Sequence, residues 1–303
     1  MLLMSIEINN IKTNNTKIGI SGIGFVGSAL TESFILKGYK LNETLFIYDK
    51  YKNGGIGTIN DLFDTDILFL SLPTQYNINN KNYDTESIIE TLEILQKNAY
   101  NGIIVIKSTV EPSTIDDMSE KYGMDIIHNP EFLTARTAFY DFHNQKHIVL
   151  GKCKHCDNIK FDKVFNFYKI NYPEAEISIC SSLESESMKL FLNSFYAIKI
   201  QYFTEIYLLC NKLGIEYDNV KKLMLKNGWI NPMHTTIPGP DGTISYGGLC
   251  FPKDTNALMY FMEKFDVPHN VLEATINERN IMRKENNQNI IQFNDNKPIQ
   301  KID

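Results

Sequence analysis

The feature that most constrains the fold is a glycine pattern near the amino terminus. Residues 17–27 read KIGISGIGFVG, so an apolar run ends in G-x-G-x-x-G at Gly22, Gly24 and Gly27, and a helical pattern follows at once. The first glycine permits a tight turn, the second lets a pyrophosphate approach the backbone, and the third lets the helix pack on the strand. The alternative is a glycine turn in some other α/β protein.

The residues after this turn favour a dinucleotide site. A second apolar run, TLFIYD, ends in Asp49, 22 residues after Gly27. An acid at this distance would hydrogen bond a ribose 2′-hydroxyl and repel a 2′-phosphate, which favours NAD over NADP. The neighbouring Lys50 weakens that preference.

Apolar runs alternate with helical patterns over residues 17–180, which predicts a parallel sheet. The runs are KIGIS, TLFIYD, ILFLSLP, GIIVIKST, MDIIHNP and HIVLG, with helices across 25–38 and 85–97. We therefore predict the α/β class, with an N-terminal Rossmann-like domain at 17–180 and a helical central domain for dimerisation and catalysis at 181–290. Flexible ends are expected at 1–16 and 291–303.

One long helix is predicted from about 181 to 213. Its apolar residues lie nearly all round, and a helix of ~30 residues runs roughly 45 Å, too long for an ordinary crossover. We expect it to be a central helix, covered on one side by the first lobe and on the other by later helices or a partner subunit, and to form the contact of a homodimer. Further helices are expected at about 217–227, 254–265 and 269–286.

Composition excludes several classes of protein. The formal net charge is −6 and no block of Lys and Arg occurs, which argues against nucleic-acid binding. No apolar run approaches the ~20 residues that cross a bilayer, and no signal-peptide pattern is visible, so we expect no membrane association and a cytoplasmic location. Five cysteines without regular spacing argue against a disulfide framework.

The most informative stretch for chemistry is SYGGLCFPKDT at 245–255. Gly247 and Gly248 remove side chains beside Cys250, so that a ligand can lie against the backbone. Pro252 and the residues after it are typical of a helix start, which places Cys250 just ahead of a helix N-terminus, where a nucleophilic thiolate is favoured. The alternative is a small buried cysteine in a loop.

Other candidate polar groups lie on the long helix and after predicted strands. Lys189 and Asn193 are four residues apart and share a helix face, where they could stabilise an oxyanion, or the lysine could simply reach water. Ser108 and Thr109 in IKSTVEP, and Glu131 in HNPEFL, follow strands whose carboxyl ends face the ligand crevice. Such residues are also common as caps and turn formers.

In their order along the chain, these motifs resemble the UDP-glucose 6-dehydrogenase family, which includes relatives acting on GDP-mannose and UDP-N-acetylmannosamine. The resemblance runs from about Lys17 to Arg283 and rests on GIGFVG, KSTVEP, NPEFL, the K-x-x-x-N of the long helix and GGLCFPKD. It implies an NAD-dependent four-electron oxidation of the sugar C6 alcohol to the acid. UDP-glucose giving UDP-glucuronate, for polysaccharide biosynthesis, is the expected reaction.

The family mechanism assigns a role to each catalytic motif. A first NAD takes hydride from C6, Cys250 attacks the resulting aldehyde, a second NAD takes hydride from the thiohemiacetal, and water hydrolyses the thioester. Asp254 would act as base or orient the water. Lys189 and Asn193 would hold the oxyanion, and Glu131 with Thr109 would position water and assist proton transfer.

The resemblance also implies binding residues. Cofactor contacts are expected at Gly22, Gly24, Phe25, Val26, Gly27, Asp49, Lys50, Pro73, Thr74, Ser108, Thr109 and Lys253. Substrate contacts are expected at Glu131, Phe132, Leu133, Lys189, Asn193, Tyr246, Gly247 and Gly248.

The chain departs from the family pattern in three places. Thr134, Ala135 and Arg136 stand where a second glutamate is usual, and Thr243 and Ile244 replace an expected basic pair. The chain also ends near the helix that would lead into a second, UDP-binding Rossmann-like domain, so we expect a short member of the family.

Two other readings of the chain stay open. A two-electron β-hydroxyacid-type dehydrogenase shares the Rossmann lobe, the long helix and the K-x-x-x-N pair, but has no use for GGLCFPKD. A non-catalytic NAD-binding subunit is the other reading.

One further motif is C-x-x-C at Cys153 and Cys156, with His155 between. Zinc needs about four ligands and no second pair lies nearby in sequence, so no metal site is predicted.

Overall fold

The computed structural model describes residues 16–283, which form two compact units. Of the described residues, the first unit comprises 16–72, 90–108 and 118–179, and the second comprises 73–89, 109–117 and 180–283. The segments predicted to be flexible, 1–16 and 291–303, lie outside the described residues except for Thr16.

The first unit is built on a seven-stranded sheet, as counted over the described residues. Its strands are β1 (Ile18–Ser21), β2 (Leu45–Tyr48), β3 (Ile67–Leu70), β6 (Ile103–Ile106), β7 (Ile126–His128), β8 (His147–Lys152) and β9 (Glu176–Ser181). Their order across the sheet is β2-β1-β3-β6-β7-β8-β9. A separate hairpin, β4 (Tyr76–Asn77) with β5 (Asn82–Tyr83), belongs to the second unit.

Continuous apolar runs form the centre of the sheet. Every residue of β1, β3 and β6 is buried, as expected for parallel strands that are covered on both faces. The pairs from β2 through β7 are parallel, which confirms the predicted Rossmann-like fold.

One strand runs the other way: β8 is antiparallel to β7. An antiparallel neighbour can start at the edge where β7 ends and needs no crossover helix. The sheet is therefore mostly parallel, as predicted, and alternation of apolar runs gave no indication of this one reversed strand.

Helices of the first unit pack against the sheet through aromatic side chains. They are α1 (Phe25–Leu36), α2 (Glu86–Lys97), α3 (Thr114–Tyr122), α4 (Ala138–His143) and α5 (Asn158–Asn171), the division between units falling within α2 and α3. Phe34 of α1 contacts Phe69 of β3, Phe142 of α4 and Phe167 of α5, with ring centroids 5.2–5.9 Å apart. This cluster is the core that fixes the sheet beneath the glycine turn.

The second unit is helical, with α6 (Ser182–Leu213), α7 (Tyr217–Lys226), α8 (Phe251–Lys264) and α9 (Asn270–Met282). The predicted long helix is therefore present as α6, with 32 residues. It begins at a capping box in which Ser181 and Glu184 satisfy each other's backbone N–H groups, and it ends at Gly214 in the left-handed conformation.

Two apolar clusters hold α6 against its neighbours. Leu190 packs with Ala257 and Leu258 of α8 and Leu272 of α9, and Phe203 packs with Tyr217 of α7. The β4-β5 hairpin joins the first cluster through Tyr83, and the Tyr76 ring stacks on Tyr260 of α8. Within residues 16–283, no helix is long and apolar enough to cross a membrane.

Candidate active site

The glycine turn after β1 leaves an open backbone at one position. Gly22 has φ +88°, and a Cβ there would lie 2.6 Å from the Ser71 carbonyl oxygen. A Cβ at Gly27 would lie 1.8 Å from the Gly22 carbonyl oxygen, so only glycine lets α1 pack this closely. A Cβ at Gly24 would meet no atom within 4 Å, and Gly24 is exposed. We call the turn formed by Gly22, Gly24 and Gly27 at the start of α1 the glycine cradle, and its open backbone fits a pyrophosphate.

Two polar groups beside the turn also fit a polar ligand. The hydroxyls of Ser21, at the end of β1, and Ser71, after β3, are buried and have no hydrogen-bond partner among the residues that the structure describes. Buried hydroxyls without a partner are uncommon in folded proteins unless a water or a ligand serves them.

Asp49 lies at the end of β2 and binds the glycine turn. Its Oδ2 accepts a hydrogen bond from the Ile23 N–H at 2.7 Å, and its Oδ1 accepts from the Tyr51 and Lys52 N–H groups at 3.0 and 2.8 Å. Burial alone would raise the pKa of Asp49, but these backbone donors and the Lys52 charge hold that pKa below its ordinary value. Asp49 is therefore a carboxylate held rigidly beside Gly24.

The two lysines after Asp49 differ in their contacts. Lys50 donates to Glu90 Oε1 at 2.7 Å, so the Lys50 ammonium is paired with a carboxylate of α2. Lys52 donates to the Ile23 carbonyl and to Ser28 Oγ, and so crosses the glycine turn itself. Lys52 was not predicted, because no motif in the sequence marks it.

A buried ion pair occupies the carboxyl ends of β6 and β7. Lys107 Nζ lies 3.1 Å from Glu131 Oε2 and donates to Asn129 Oδ1 at 2.8 Å. Burial lowers the pKa of Lys107, and the Glu131 charge opposes that shift. Lys107 was not predicted, although a lysine that ends the apolar run IIVIK is a signal that could have identified it. Ser108, the next residue, donates to the Leu72 carbonyl at 2.6 Å.

The remaining predicted contacts of the first unit are exposed or half-buried, and Pro73, Thr74 and Thr109 belong to the second unit. Phe25 is exposed, Val26 is half-buried, and Phe132 and Leu133 follow Glu131 in an irregular segment. Pro73 and Thr74 belong to the second unit, where Thr74 Oγ1 donates to the Thr109 carbonyl at 2.8 Å.

Cys250 is the residue that precedes α8, and its side chain is exposed. Pro252 stands in the first turn of the helix and the Cys250 thiol makes no capping hydrogen bond, so the thiol is accessible to a reactant. The predicted helix start at 254 falls three residues late, because α8 begins at Phe251. Asp254 lies one turn further along the same face, and its N–H donates to the Cys250 carbonyl at 2.9 Å.

Asp254 is 0% exposed and receives three side-chain hydrogen bonds. Asn193 Nδ2 donates to its Oδ2 at 2.6 Å, and Tyr83 Oη and Lys253 Nζ each donate to its Oδ1 at 2.6 Å. Lys189 Nζ in turn donates to Asn193 Oδ1 at 3.3 Å. The structure thus joins Lys189, Asn193, Lys253 and Asp254 in one network.

Tyr83 is the member of this network that the sequence analysis missed. Burial, together with the Asp254 charge, raises the pKa of Tyr83 well above its ordinary value, so its hydroxyl stays a donor at neutral pH. Tyr83 comes from the β4-β5 hairpin, 171 residues away in sequence. A pattern of neighbouring residues gives no indication of such a contact.

Two arginines of the second unit shape the loop before Cys250. Arg279 Nε donates to the Tyr246 carbonyl at 3.2 Å, and Arg283 donates to the Ile244 and Ser245 carbonyls at 2.8 and 3.1 Å. A Cβ at Gly247 would lie 1.9 Å from Arg283 Nη1, so this glycine makes room for a guanidinium. Gly248 has φ +76° and open space around it.

The second unit therefore places an exposed thiol immediately before α8 and a fixed buried carboxylate in the first turn of that helix. Such a pair suits covalent catalysis in which a general base acts beside the nucleophile. No group of three or more His, Cys, Asp or Glu able to hold a metal ion occurs between residues 16 and 283.

The fold and the glycine cradle define an α/β protein with a dinucleotide-binding Rossmann-like unit, and comparisons identify its family. The NAD binding domain of the UDP-glucose/GDP-mannose dehydrogenase family matches residues 52–169, and the central domain of the same family matches residues 183–280. The chain belongs to this family and carries its NAD-binding domain.

Individual relatives agree with this assignment. The chain is 27% identical over 291 residues to a UDP-glucose 6-dehydrogenase of Campylobacter jejuni, covering 94% of this chain and 66% of the relative. It is 28% identical to a UDP-glucose 6-dehydrogenase of Streptococcus pneumoniae, covering 73% of this chain and 56% of the relative. The chain thus spans less than two thirds of the length of these relatives.

A solved structure supports the fold. A UDP-glucose dehydrogenase from Pyrobaculum islandicum superposes with a TM-score of 0.76 at 20% identity, covering 89% of this chain and 69% of that one.

Proposed function

We propose that this protein oxidises the C6 primary alcohol of a nucleotide sugar to a carboxylate, with UDP-glucose as substrate and UDP-glucuronate as product. The observation that carries the proposal is the exposed Cys250 thiol one helical turn before the buried Asp254 carboxylate. Family membership and the names of the sequence relatives support the substrate class.

The glycine cradle supports the use of NAD. Gly24 leaves room for the pyrophosphate, and Asp49 offers a carboxylate for the ribose hydroxyls while repelling a 2′-phosphate. NAD, when bound there, supplies the hydride acceptor for both oxidation steps.

The second unit supports the covalent steps. The Cys250 sulfur attacks the C6 aldehyde to form a thiohemiacetal, and oxidation then gives a thioester that water hydrolyses to the acid. Asp254 acts as the base or orients that water, because its three donors keep it in one orientation. Lys189 and Asn193 stabilise the oxyanion.

Further roles follow from the family pattern. Glu131 and Thr109 are proposed to position water and assist proton transfer. The backbone of 246–248 is proposed to contact the sugar. We also propose that the protein is a cytoplasmic homodimer formed through α6.

The test is a product assay. Purified protein is incubated with NAD and, separately, UDP-glucose, GDP-mannose and UDP-N-acetylmannosamine, while NADH is followed by absorbance and the product by mass. Two NADH per UDP-glucose, with UDP-glucuronate as product, are expected. One NADH per sugar would indicate a two-electron dehydrogenase, and NAD binding without turnover would indicate a non-catalytic subunit.

Two cysteine variants sharpen the assay. Cys250→Ala is expected to abolish acid formation while leaving NAD binding unchanged. Cys180→Ala, which alters a partly exposed cysteine in a strand, is the matched control and is expected to keep full activity. Unaltered acid formation in Cys250→Ala would refute the covalent mechanism.

A further inference from the structure

Two cysteines that the proposed function does not use lie at the ends of a tight turn between β8 and α5. The Cys156 N–H donates to the Cys153 carbonyl at 3.2 Å, which closes a four-residue turn over Cys153, Lys154, His155 and Cys156. The end Cα atoms of a β-turn lie within ~7 Å of each other, and a disulfide needs about 4.4–6.8 Å. Both cysteines are free thiols. The backbone is therefore shaped to allow a disulfide with little movement.

The side chains around this turn activate one of the two thiols. Ser119 Oγ donates to Cys153 Sγ at 3.2 Å, whereas the Cys156 thiol donates to the Asp157 carbonyl at 3.7 Å. The neighbouring Cys156 thiol and the Ser119 hydroxyl lower the pKa of Cys153, whereas the neighbouring Cys153 and burial raise the pKa of Cys156. Because the Ser119 hydroxyl donates to Cys153 while the Cys156 thiol donates to a carbonyl, we expect Cys153 to be the nucleophile and Cys156 the proton-bearing partner.

Access to the pair is narrow. Cys153 is 2% exposed and Cys156 is 8% exposed. We expect hydrogen peroxide to reach the sulfurs through small local motions of the turn, whereas a bulky molecular disulfide would need the turn to open fully. Metal binding is a poor alternative, because no group of three ligand side chains occurs in the part of the chain that is described.

We propose that Cys153 and Cys156 form a redox-active dithiol that a hydroperoxide oxidises to an intramolecular disulfide. The site is independent of the dehydrogenase reaction proposed above. The remaining cysteines, Cys180, Cys210 and Cys250, have no second cysteine at this spacing.

The reaction balances with hydrogen peroxide as oxidant. The Cys153 thiolate attacks one peroxide oxygen, the O–O bond breaks, and hydroxide leaves and takes up a proton, so that Cys153 becomes a sulfenic acid and one water forms. Cys156 then attacks the Cys153 sulfur, the S–O bond breaks, and the oxygen leaves as a second water with the Cys156 proton. Two thiols are oxidised by two electrons and one peroxide is reduced to two waters.

The test uses native full-length protein treated with increasing hydrogen peroxide, then blocked with N-ethylmaleimide and digested with trypsin. Cleavage after Lys152, Lys154 and Lys160 separates the two cysteines onto the peptides CK and HCDNIK. Oxidised protein is expected to yield these peptides joined by a disulfide, and dithiothreitol is expected to return them to separate alkylated peptides. Buried Cys210, which has no such partner, is the internal reference and should stay unmodified at the same dose.

Three variants test which cysteine attacks the peroxide, which one forms the disulfide with it, and what Ser119 contributes. Cys156→Ser is expected to leave Cys153 as a sulfenic acid that dimedone traps, whereas Cys153→Ser should give weaker dimedone labelling, because the Ser119 hydroxyl donates to Cys153 and not to Cys156. Ser119→Ala is expected to slow alkylation of Cys153 several-fold without unfolding the protein.

Two results would overturn the proposal. One is joined peptides that form only in urea, because the native turn would then play no part. The other is a Cys153 no more reactive than Cys210 in the native protein.

Discussion

At the scale of single residues, a side chain added at Gly24 is expected to weaken cofactor binding without affecting folding. A Cβ at this position meets no protein atom within 4 Å, yet it would stand where the pyrophosphate lies in a dinucleotide fold. We expect Gly24→Ala to fold with an unchanged melting temperature and to bind NAD at least tenfold more weakly, measured by calorimetric titration.

The control for this variant is Gly27→Ala in the same turn. Its Cβ would lie 1.8 Å from the Gly22 carbonyl, so this variant is expected to lose stability as well as NAD binding. NAD affinity that stays at the wild-type level in Gly24→Ala would remove the glycine turn from the proposed cofactor site.

Tyr83 gives a second prediction at residue scale, because it fixes the Asp254 carboxylate. Tyr83→Phe deletes one of three side-chain donors to a buried carboxylate, so we expect the free energy of unfolding to fall by about 1–2 kcal/mol. Turnover in the proposed reaction should fall by roughly tenfold, with little change in KM. Chemical denaturation and steady-state kinetics measure the two effects.

The matched control is Tyr76→Phe on the partner strand of the same hairpin. The Tyr76 hydroxyl is buried and has no hydrogen-bond partner within the described residues, so its removal is expected to be neutral or slightly stabilising. Equal losses in the two variants would show that the Tyr83 hydroxyl contributes through packing and not through Asp254.

The residues that sequence reasoning found and those that it missed differ in one physical respect. Cys250, Asp254 and the Lys189–Asn193 pair stand in short local patterns that can be read from neighbouring residues. Lys52 and Tyr83 have no such pattern, because each contacts its partner only after segments distant in sequence come together. Lys107 has a weak local signal, the end of an apolar run, but that signal does not identify Glu131 as its partner.

At the scale of elements, the long and strongly patterned segments were predicted well. The predicted bounds of α6 differ from the observed ones by a single residue, because a capping box and a terminal glycine mark its ends in the sequence. The β4-β5 hairpin was missed, since its strands have two residues each and no apolar alternation. Its stability comes from packing on α8, which the sequence does not display.

A contact between elements was also invisible in the sequence: Glu186 of α6 caps the start of α3. Its carboxylate accepts hydrogen bonds from the Ser113 and Ile115 N–H groups at 2.9 and 2.8 Å. Burial first, and then the Asp116 and Asp117 charges, raise the pKa of Glu186 to about 8, from 4.5. Between these two pH values, Glu186 therefore stays protonated in the native state but is ionised in the unfolded chain.

This raised pKa predicts the sign of a pH effect on stability. The contribution of protonated Glu186 to the free energy of unfolding is fully present below pH 4.5 and is lost as the pH rises through about 8. It is lost because, between these pH values, the unfolded chain binds fewer protons than the native state. We expect the free energy of unfolding to decrease with rising pH over this window, by an amount on the order of a few kcal/mol.

The variant for this prediction is Glu186→Gln, compared with wild type by urea denaturation between pH 5 and pH 9. The glutamine loses one backbone hydrogen bond at every pH, but it cannot titrate, so the difference between the two proteins should shift steadily in favour of the variant as the pH rises. Parallel pH profiles for the two proteins would contradict the assignment to Glu186.

At the scale of the whole molecule, local sequence patterns predict the class of fold. They do not predict which segments of the chain belong to which of the two units. Segments 73–89 and 109–117 group with the second unit although they come from within the Rossmann-like part of the sequence. The domain boundaries drawn from sequence, 17–180 and 181–290, stay a prediction, since a single cut along the chain cannot represent segments that alternate between units.

The assembly proposed above depends on the apolar surface of α6. Phe195, Tyr202 and Leu209 are 57%, 52% and 52% exposed. Each of these residues follows the previous one by seven positions. Seven residues rotate the side-chain direction to about 20° short of two full turns, so the three side chains form one stripe along the helix. An exposed apolar stripe along a helix of this length is typical of a surface that pairs with a second helix.

Two charges on that stripe should separate the subunits. We expect the wild-type protein to have the mass of a dimer by light scattering after gel filtration, and Phe195→Glu with Tyr202→Glu to have the mass of a monomer, because two pairs of like charges would be buried together at a twofold axis. The control is Ile159→Glu on α5 of the first unit, which alters an apolar residue that is 74% exposed and should leave the mass unchanged. A wild-type protein that stays monomeric at high concentration would refute dimerisation through α6, and a dimer that survives both substitutions would place the interface on another surface.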